Sequence, residues 1–237
     1  MKAAYILLVF LFCFSLAGAK EGKKLLLFTK TAGYRHDNIP KGVETIQGLF
    51  AKEGITVRHS EDAAVFLSDS IASFDGVLFF STTGTIFNSE EKLAFQKFIE
   101  SGKGFMGIHA ASDTEFDWPW YNQLVGAYFM SHPRVQEAKL QVLNRKHKAT
   151  RHLGKIWMHK DEWYDFKNVQ EGLHVLMNLD ETSYEGGKMG AVHPIAWYRK
   201  VHGTRMFYTG LGHTKESFDS PDFQKHIIGG VKYVLGM

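Results

Sequence analysis

Short runs of apolar residues alternate with amphipathic segments through the first half of the chain. Such runs are typical of strands buried on both faces, and they occupy residues 24–29, 77–80 and 105–108. A further short strand is predicted at 55–59. Apolar residues recur at helical spacing over 39–52 and in a second segment that begins near residue 89.

Both amphipathic segments carry residues that favour the start of a helix. Asn38 is placed to cap the first helix, and Pro40 suits its first turn. Ser89 is placed to cap the second helix, which has Glu90 and Glu91 in its first turn. The resulting β-α-β-β-α-β order, with short connections and buried strands, predicts a doubly wound, mostly parallel sheet.

The second half of the chain has a different pattern. Apolar and polar residues alternate at 136–143 and in part at 156–166, which favours half-exposed antiparallel strands. Strands at 195–199 and 205–208 flank a short turn and predict a hairpin. A helix at 222–235 closes the chain. The predicted class is therefore α/β, with antiparallel strands added in the C-terminal half.

The first 19 residues have the pattern of a signal peptide. Lys2 is followed by an apolar stretch over 5–16, too short for a convincing membrane span, and by a small-residue cleavage site that ends at Ala19. We predict a signal peptide at 1–19 that is cleaved after Ala19, with an uncleaved anchor as the alternative. The processed protein is then periplasmic or secreted, without a membrane span, and forms a single domain over 20–237.

The amino-acid composition limits the kinds of catalytic and binding sites that the processed chain can form. The single cysteine, Cys13, lies in the predicted signal peptide, so the processed chain would have no disulfide, thiolate ligand or cysteine nucleophile. The formal net charge is only +3 and the basic residues are spread along the chain, so nucleic acid is not a predicted partner. The chain has 12 histidines, and a histidine-rich chain without cysteine can use imidazole and carboxylate for metal or proton chemistry.

The strand at 105–108 ends at His109 and runs into a turn of small residues. The carboxyl end of a central strand in an open α/β sheet is where such folds place their ligand crevice. If a helix starts at Ala110, Asp113 lies four residues beyond His109 and faces the same space. The alternative is a hydrogen-bonded structural histidine, with Asp113 as a cap.

Other histidines also lie in predicted loops. His36 follows the first strand, and His213 follows the second strand of the hairpin. Because loops after parallel strands gather at one edge of a sheet, we expect His36, His109 and His213 to meet there. His193, which precedes a proline as His132 does, is a fourth candidate ligand for a divalent metal such as zinc. The alternative for a histidine before proline is a simple turn residue.

Carboxylates and aromatic residues supply further candidates. Asp161 and Glu162 precede Trp163, an arrangement that combines an acid or base with a stacking platform. The alternative there is an ordinary strand with Trp163 pointing inward. Trp118 and Trp120 belong to a denser aromatic cluster, whose flat faces suit sugar rings, although such clusters also cover sheet edges.

Several common motifs are missing from the sequence. There is no Gly-x-Ser-x-Gly hydrolase motif, no phosphate loop with Gly-Lys-Ser/Thr, and no His-Glu-x-x-His metalloprotease motif. Gly102, Gly104 and Gly107 have Gly-x-Gly-x-x-Gly spacing but lead into a strand instead of following one. No nucleotide cofactor is therefore predicted.

With these residues, the chain resembles the ThuA-like family, named for trehalose utilisation, within the class I glutamine amidotransferase-like superfamily. The matching segments are YRH at 34–36, GFMGIHAASDT at 104–114, WPWY at 118–121, LVGA at 124–127, HP at 132–133, DEWY at 161–164, MG at 189–190, HPIAW at 193–197 and FYTGLGHT at 207–214. The resemblance implies a flavodoxin-like sheet and a carbohydrate substrate, such as a glycoside or 3-keto-glycoside.

The resemblance does not imply glutamine hydrolysis. True amidotransferases of the superfamily have a nucleophilic cysteine at the turn where this chain has His109, and a shared fold does not specify the reaction. An amidotransferase relative that uses Ser112 or Thr114 as nucleophile is one alternative. In a 3-keto-glycoside the ketone acidifies the C2 proton, so a base can remove it while a metal or cationic donor holds the negative oxygen. Cleavage or isomerisation then follows.

We therefore expect a carbohydrate-active enzyme, with a non-catalytic carbohydrate-binding or accessory module as the alternative. The expected catalytic residues are His36, His109, Asp113 and Glu162. The expected substrate-binding residues are Tyr34, Arg35, Trp118, Trp120 and Trp163. The expected metal ligands are His36, His109, His193 and His213.

Overall fold

A nine-stranded sheet forms the centre of the protein, whose computed structural model describes residues 22–237. The predicted signal peptide at 1–19 lies outside the described residues. The strands, in chain order, are β1 (Lys23–Phe28), β2 (Ile55–Ser60), β3 (Gly76–Phe80), β4 (Gly104–Ile108), β5 (Tyr128–Ser131), β6 (Gln136–Val142), β7 (Ile156–Asp161), β8 (Asp165–Lys167), β9 (His174–Asp180), β10 (Pro194–Val201) and β11 (Thr204–Thr209).

The sheet has a parallel part and an antiparallel part. Its strand order is β2-β1-β3-β4-β11-β10-β9-β6-β7. Strands β2, β1, β3, β4 and β11 pair in parallel, whereas β10, β9, β6 and β7 extend the sheet by antiparallel pairing. Strands β5 and β8 form a separate antiparallel pair. The predicted α/β class, the doubly wound sheet and the added C-terminal antiparallel strands are confirmed.

Helices cover both faces of the sheet. They are α1 (Ile39–Lys52), α2 (Ser89–Glu100), α3 (Pro119–Val125) and α4 (Pro221–Val234). Successive side chains of a strand point to opposite faces, and the end of β3 shows the result. Phe79 packs against Phe95 of α2 and Tyr121 of α3, with ring centroids 5.1 and 6.0 Å apart. Phe80 packs against Phe218 at 5.3 Å, on the face that carries α1 and α4.

The helix starts differ from the prediction in their caps. Asn38 precedes α1 but makes no capping hydrogen bond, since its Oδ1 has no partner among residues 22–237. Its Nδ2 instead donates to the carbonyl oxygen of Gly212 at 2.6 Å. It thereby joins the start of α1 to the loop after β11. Helix α2 is capped by Asn88 instead of Ser89, through a reciprocal pair of hydrogen bonds with Glu91.

Across residues 22–237, the longest apolar helical segments fall short of what a bilayer crossing requires.

Two glycines of α1 test how tightly this helix packs on β3. A Cβ atom at Gly42 would lie 2.3 Å from Cε1 of Phe80, whereas one at Gly48 meets nothing within 4 Å. Gly42→Ala is therefore expected to lower the free energy of unfolding by about 1–3 kcal/mol through overpacking. Gly48→Ala is expected to raise it by up to about 1 kcal/mol through helix propensity. Denaturant unfolding measures both, and two changes of the same sign would contradict this packing.

Candidate functional site

Four side chains of the metal-binding type converge at one edge of the sheet. They are His36, His109, Glu162 and His213, and one ligand atom from each lies within 4.8 Å of the others. Three of the four residues are buried, and His213 is half-buried. We refer to these four residues as the histidine cluster.

The sheet topology explains most of this convergence. His36 lies in the loop between β1 and α1, His109 is the first residue after β4, and His213 lies in the loop after β11. Because β1, β4 and β11 are parallel strands of one sheet, their following loops emerge at the same edge. Glu162 comes instead from the antiparallel part, directly after β7. The cluster therefore joins both parts of the sheet.

The chain turns sharply at His109. Its φ of +53° lies in the left-handed region, which is uncommon for a residue with a Cβ atom. A single 3-10 turn, His109–Ser112, replaces the helix expected from Ala110. The Nδ1 atom of His109 lies 3.0 Å from the carbonyl oxygen of Gly210. Because a carbonyl only accepts, Nδ1 carries a proton, and Nε2 is the ring nitrogen that faces the cluster.

Three of the four ligand atoms are spaced as they would be around one ion. Nε2 of His109 is 3.1 Å from Nδ1 of His213. Oε2 of Glu162 is 3.3 Å from that same Nδ1 and 3.5 Å from Nε2 of His109. A tetrahedral ligand set with bonds of about 2.0–2.1 Å has ligand atoms roughly 3.3 Å apart. These spacings match a divalent cation such as zinc.

His36 adds a nitrogen that no protein group satisfies. Its ring lies 4.9 Å from that of His109 and 5.4 Å from that of His213, centroid to centroid. Its Nδ1 is buried and has no hydrogen-bond partner among residues 22–237, which is rare for a buried polar atom. One of the two ring nitrogens of His36 is among the four ligand atoms that lie within 4.8 Å of one another.

The protonation of two of these histidines also suits a metal. Burial, reinforced by the neighbouring histidines, lowers the pKa of His36 to about 2. Burial likewise lowers the pKa of His213, and the neighbouring His109 acts in the same direction. Both imidazoles are therefore neutral near pH 7, which is the form that binds a metal ion.

A cavity of about 390 Å³ opens onto the cluster, a volume within the range of small-molecule sites. Its walls are formed by Tyr34, His36, Asp113, Phe129, His132, Glu162, Tyr164 and His213. Aromatic and titratable side chains thus face the same space. The ring of Tyr164 also lies against that of His109, with centroids 4.3 Å apart.

Asp113 is the carboxylate of this cavity that the cluster does not engage. Its side chain makes no hydrogen bond or ion pair with any residue in the described part of the chain. Burial raises the pKa of Asp113 to about 6, although the nearby His109 acts in the opposite direction. A carboxylate with these properties can exchange a proton with a bound molecule near neutral pH.

Three cavity residues, Phe129, His132 and Tyr164, were not among the expected site residues. Nδ1 of His132 lies 3.0 Å from Oε1 of Glu162, so the two carboxylate oxygens face different histidines. Phe129 and His132 reach the cavity because β5 pairs with β8, just beyond Glu162. The pairing of these two short strands would have revealed them, but no local sequence pattern encodes it.

The structure does not bring His193 to the histidine cluster. Its Nε2 lies 2.8 Å from the carbonyl oxygen of Tyr164. Its Nδ1 lies 2.8 Å from Oε1 of Glu181 and 3.1 Å from the hydroxyl of Tyr184. Both ring nitrogens are therefore engaged by protein groups. His193 instead belongs to a second group of potential metal ligands, with Asp165 and Glu181.

Among the aromatic residues expected to bind substrate, Tyr34 lines the cavity and the tryptophans do not. Trp163 is fully buried, and its Nε1 donates to the carbonyl oxygen of Gln136 at 2.9 Å. The inward-facing alternative therefore describes Trp163. Trp118 and Trp120 stack on each other away from the cavity walls, with ring centroids 5.0 Å apart.

The remaining candidates also point elsewhere. Arg35 forms a two-pronged ion pair with Glu61 at the surface, with N–O distances of 2.8 and 3.0 Å. The alternative nucleophiles, Ser112 and Thr114, are buried. The hydroxyl of Ser112 is hydrogen-bonded to that of Tyr208, and the hydroxyl of Thr114 is hydrogen-bonded to that of Thr82. None of these groups lines the cavity.

Comparison with known proteins identifies a family and a fold. The model of the ThuA family, described as trehalose utilisation, matches residues 24–234. Two similar solved structures are ThuA-like proteins from Bacteroides uniformis and Parabacteroides merdae, both with a TM-score of 0.75. The first is 20% identical, with 92% of this chain and 94% of that chain covered. The second is 19% identical, with 91% of each chain covered.

A more distant similarity involves a glycosidase. The β-galactosidase from Bacillus circulans is 10% identical with a TM-score of 0.60, and the match covers 92% of this chain but 31% of the β-galactosidase. No curated protein matches the chain. At these identities the solved structures show the fold alone.

Trp163 and Tyr34 are expected to respond very differently to truncation. Trp163→Ala should lower the free energy of unfolding by about 3–5 kcal/mol because the indole is fully buried. Tyr34→Ala should lower it by less than about 1 kcal/mol because that side chain is 69% exposed. Denaturant unfolding followed by circular dichroism measures both. Similar losses of stability for the two variants would contradict the placement of Trp163 in the core and of Tyr34 at the surface.

Proposed function

The chain belongs to the ThuA family, and we propose that it is a carbohydrate-processing enzyme that abstracts a proton beside a sugar ketone at a divalent-metal centre. The proposal rests above all on the histidine cluster, in which one ligand atom from each of four side chains lies within 4.8 Å of the others. The residues that would hold the cation are His36, His109, Glu162 and His213.

The family and the cavity together support a carbohydrate substrate. The family is described by trehalose utilisation. The cavity places the aromatic rings of Tyr34, Phe129 and Tyr164 beside carboxylates and imidazoles. Apolar C–H faces of a sugar ring can pack on the aromatic rings while its hydroxyl groups bond to the polar side chains. The likeness to the β-galactosidase is a likeness of fold and adds nothing about the substrate.

The cavity favours proton transfer over nucleophilic attack. No serine, threonine or cysteine is among its lining residues in the described part of the chain. Asp113 instead offers a carboxylate without a protein partner. A bound divalent cation would supply positive charge to stabilise the substrate oxygen that becomes negative as the proton leaves.

Asp113 is the better placed of the two candidate bases. Glu162 has one oxygen near His109 and His213 and the other near His132. Because both of its oxygens are already engaged, Glu162 fits the role of a ligand. The carboxylate of Asp113 is free to accept a proton.

The reaction on a 3-keto-glycoside can be written with balanced bonds. The carboxylate of Asp113 takes the C2 proton, the C2–H electron pair forms a C2–C3 double bond, and the carbonyl pair moves to O3. When that pair returns to re-form the carbonyl group, the C2–C3 electron pair forms a C1–C2 double bond, and the bond from C1 to the leaving oxygen breaks. The leaving oxygen then takes the proton from Asp113. If the proton is instead returned to C3 while the O2 hydroxyl proton moves to O3, the product is the isomeric 2-ketone.

Metal binding by the purified protein tests the centre directly. Protein prepared without a histidine tag should bind about one equivalent of a divalent metal such as Zn²⁺, because one ligand atom from each of four side chains lies within 4.8 Å of the others. His213→Ala removes one of them and should raise the dissociation constant at least about tenfold. Competition with a chelator measures this constant.

His152→Ala is the matched control for that experiment. His152 is half-buried, its Nε2 is 2.9 Å from the carbonyl oxygen of Asp222, and it lies outside the cluster. The control should therefore bind metal as the unmodified protein does. Equal affinities for the His213 and His152 variants, or no metal binding by the unmodified protein, would overturn the proposed centre.

Asp113→Asn tests the base without removing a ligand. Turnover of a 3-keto-disaccharide should fall by about 10²–10⁴-fold, whereas the affinity for metal should persist. In the unmodified enzyme, activity should fall as the pH drops through about 6, because the protonated carboxyl cannot accept a proton. A bound cation would lower the pKa of Asp113 and would therefore move this loss of activity to lower pH. The pH–rate profile and the metal titration measure both effects.

Asp117→Asn is the control, since Asp117 is an exposed neighbour that does not line the cavity. It should leave turnover unchanged. Full turnover by the Asp113 variant would eliminate this residue as the base. If the unmodified protein binds sugars in calorimetry but forms no product with or without metal, the non-catalytic binding module is the better description.

A further inference from the structure

Asp161 is a fully buried carboxylate at the end of β7 that the proposed reaction does not use. It accepts hydrogen bonds from four backbone N–H groups and one hydroxyl: those of Glu162 at 3.0 Å, Gly212 at 2.7 Å, His213 at 3.1 Å, Thr214 at 3.1 Å and the Ser217 hydroxyl at 2.9 Å. A buried charge is costly unless it is well hydrogen-bonded. This set of donors offsets that cost.

The donors come from two separate parts of the histidine cluster. The N–H groups of Gly212, His213 and Thr214 belong to the loop after β11, which carries the cluster residue His213. The fourth backbone donor is Glu162, which follows Asp161 in sequence and is itself a cluster residue. The carboxylate of Asp161 therefore binds the backbone N–H groups of two cluster residues, Glu162 and His213.

The same loop is held from its other side as well. The carbonyl oxygen of Gly212 accepts from Nδ2 of Asn38, while its N–H donates to Asp161. The hydroxyl of Ser217 lies 3.1 Å from Nε2 of His159 in addition to its bond with Asp161. These contacts leave the loop little freedom to move relative to β7.

We propose that Asp161 is a positioning residue that keeps His213 and Glu162 at the spacing a shared cation requires. The inference rests on the metal centre proposed above. The two coordinating atoms, Nδ1 of His213 and Oε2 of Glu162, lie 3.3 Å apart. Asp161 fixes this separation through their backbones, and it does not line the cavity itself.

Asp161→Asn tests the proposal with almost no change in size. The substitution replaces one carboxylate oxygen by an amide nitrogen, which cannot accept a hydrogen bond. The donors that contact that oxygen therefore lose their acceptor. The dissociation constant for Zn²⁺ should rise about 10–100-fold, as when a residue that orients a ligand is lost. Amide hydrogen exchange at residues 212–214 should also become faster, because the hydrogen bonds that protect them weaken.

Glu115→Gln is the matched control. Glu115 is also a fully buried carboxylate, and it accepts from the backbone N–H groups of Ile86 at 2.8 Å and Phe87 at 2.9 Å. It belongs to no group of potential metal ligands among the described residues and does not line the cavity. Both variants should lose stability, but only Asp161→Asn should lose affinity for Zn²⁺. A merely structural role for Asp161 would give the two variants the same affinity.

Ser217→Ala keeps the measurement possible if Asp161→Asn does not fold. It removes one donor from Asp161 and retains the carboxylate, so a smaller rise in the dissociation constant is expected. Affinity for Zn²⁺ equal to that of the unmodified protein in the folded variant would overturn the proposal.

Failure of the metal centre itself would be recognised separately. In that case the unmodified protein would bind no Zn²⁺, and hydrogen exchange would decide the role of Asp161. Faster exchange at 212–214 in the Asp161 variant than in the Glu115 control would support positioning of the loop. Unchanged exchange would refute it.

Discussion

The parallel pairing of β4 with β11 is the contact on which the rest of the structure depends. Its register aligns Ile108 with Thr209 at the ends of the two strands. His109 and Gly210 follow directly, which is why the imidazole Nδ1 meets the carbonyl oxygen of Gly210. That hydrogen bond selects the tautomer and turns Nε2 toward the cluster. A single strand pairing thus sets both the position and the chemical state of the central histidine.

Much of the architecture was predictable because the signals for it are local. Buried runs such as 24–29 and 105–108 and the amphipathic segment at 39–52 each contain their own periodicity. The meeting of His36 with His213 also followed from sequence, because parallel strands deliver their loops to one edge regardless of detail.

The rest of the site depends on contacts between segments far apart in the chain. Glu162 follows β7 in the antiparallel part of the sheet, yet it meets histidines from the loops of the parallel part. The periodicity of apolar residues along the chain does not predict this long-range contact. Trp163 looks like a stacking platform in sequence and is a core residue in the structure. His36 and His193 are both loop histidines in sequence. Only their hydrogen bonds separate them, since both nitrogens of His193 are engaged and Nδ1 of His36 is not.

The cluster draws its four side chains from residue 36 to residue 213, so it cannot exist until the last strand has joined the sheet. A cation that binds there would contribute nothing to early folding and would act as a late cross-link between the first loop and the last. Because such an ion binds the folded chain and not the unfolded one, it would add stability by mass action. Residues 22–237 contain no cysteine. In this chain an ion would therefore take the place that a disulfide bond holds in other proteins.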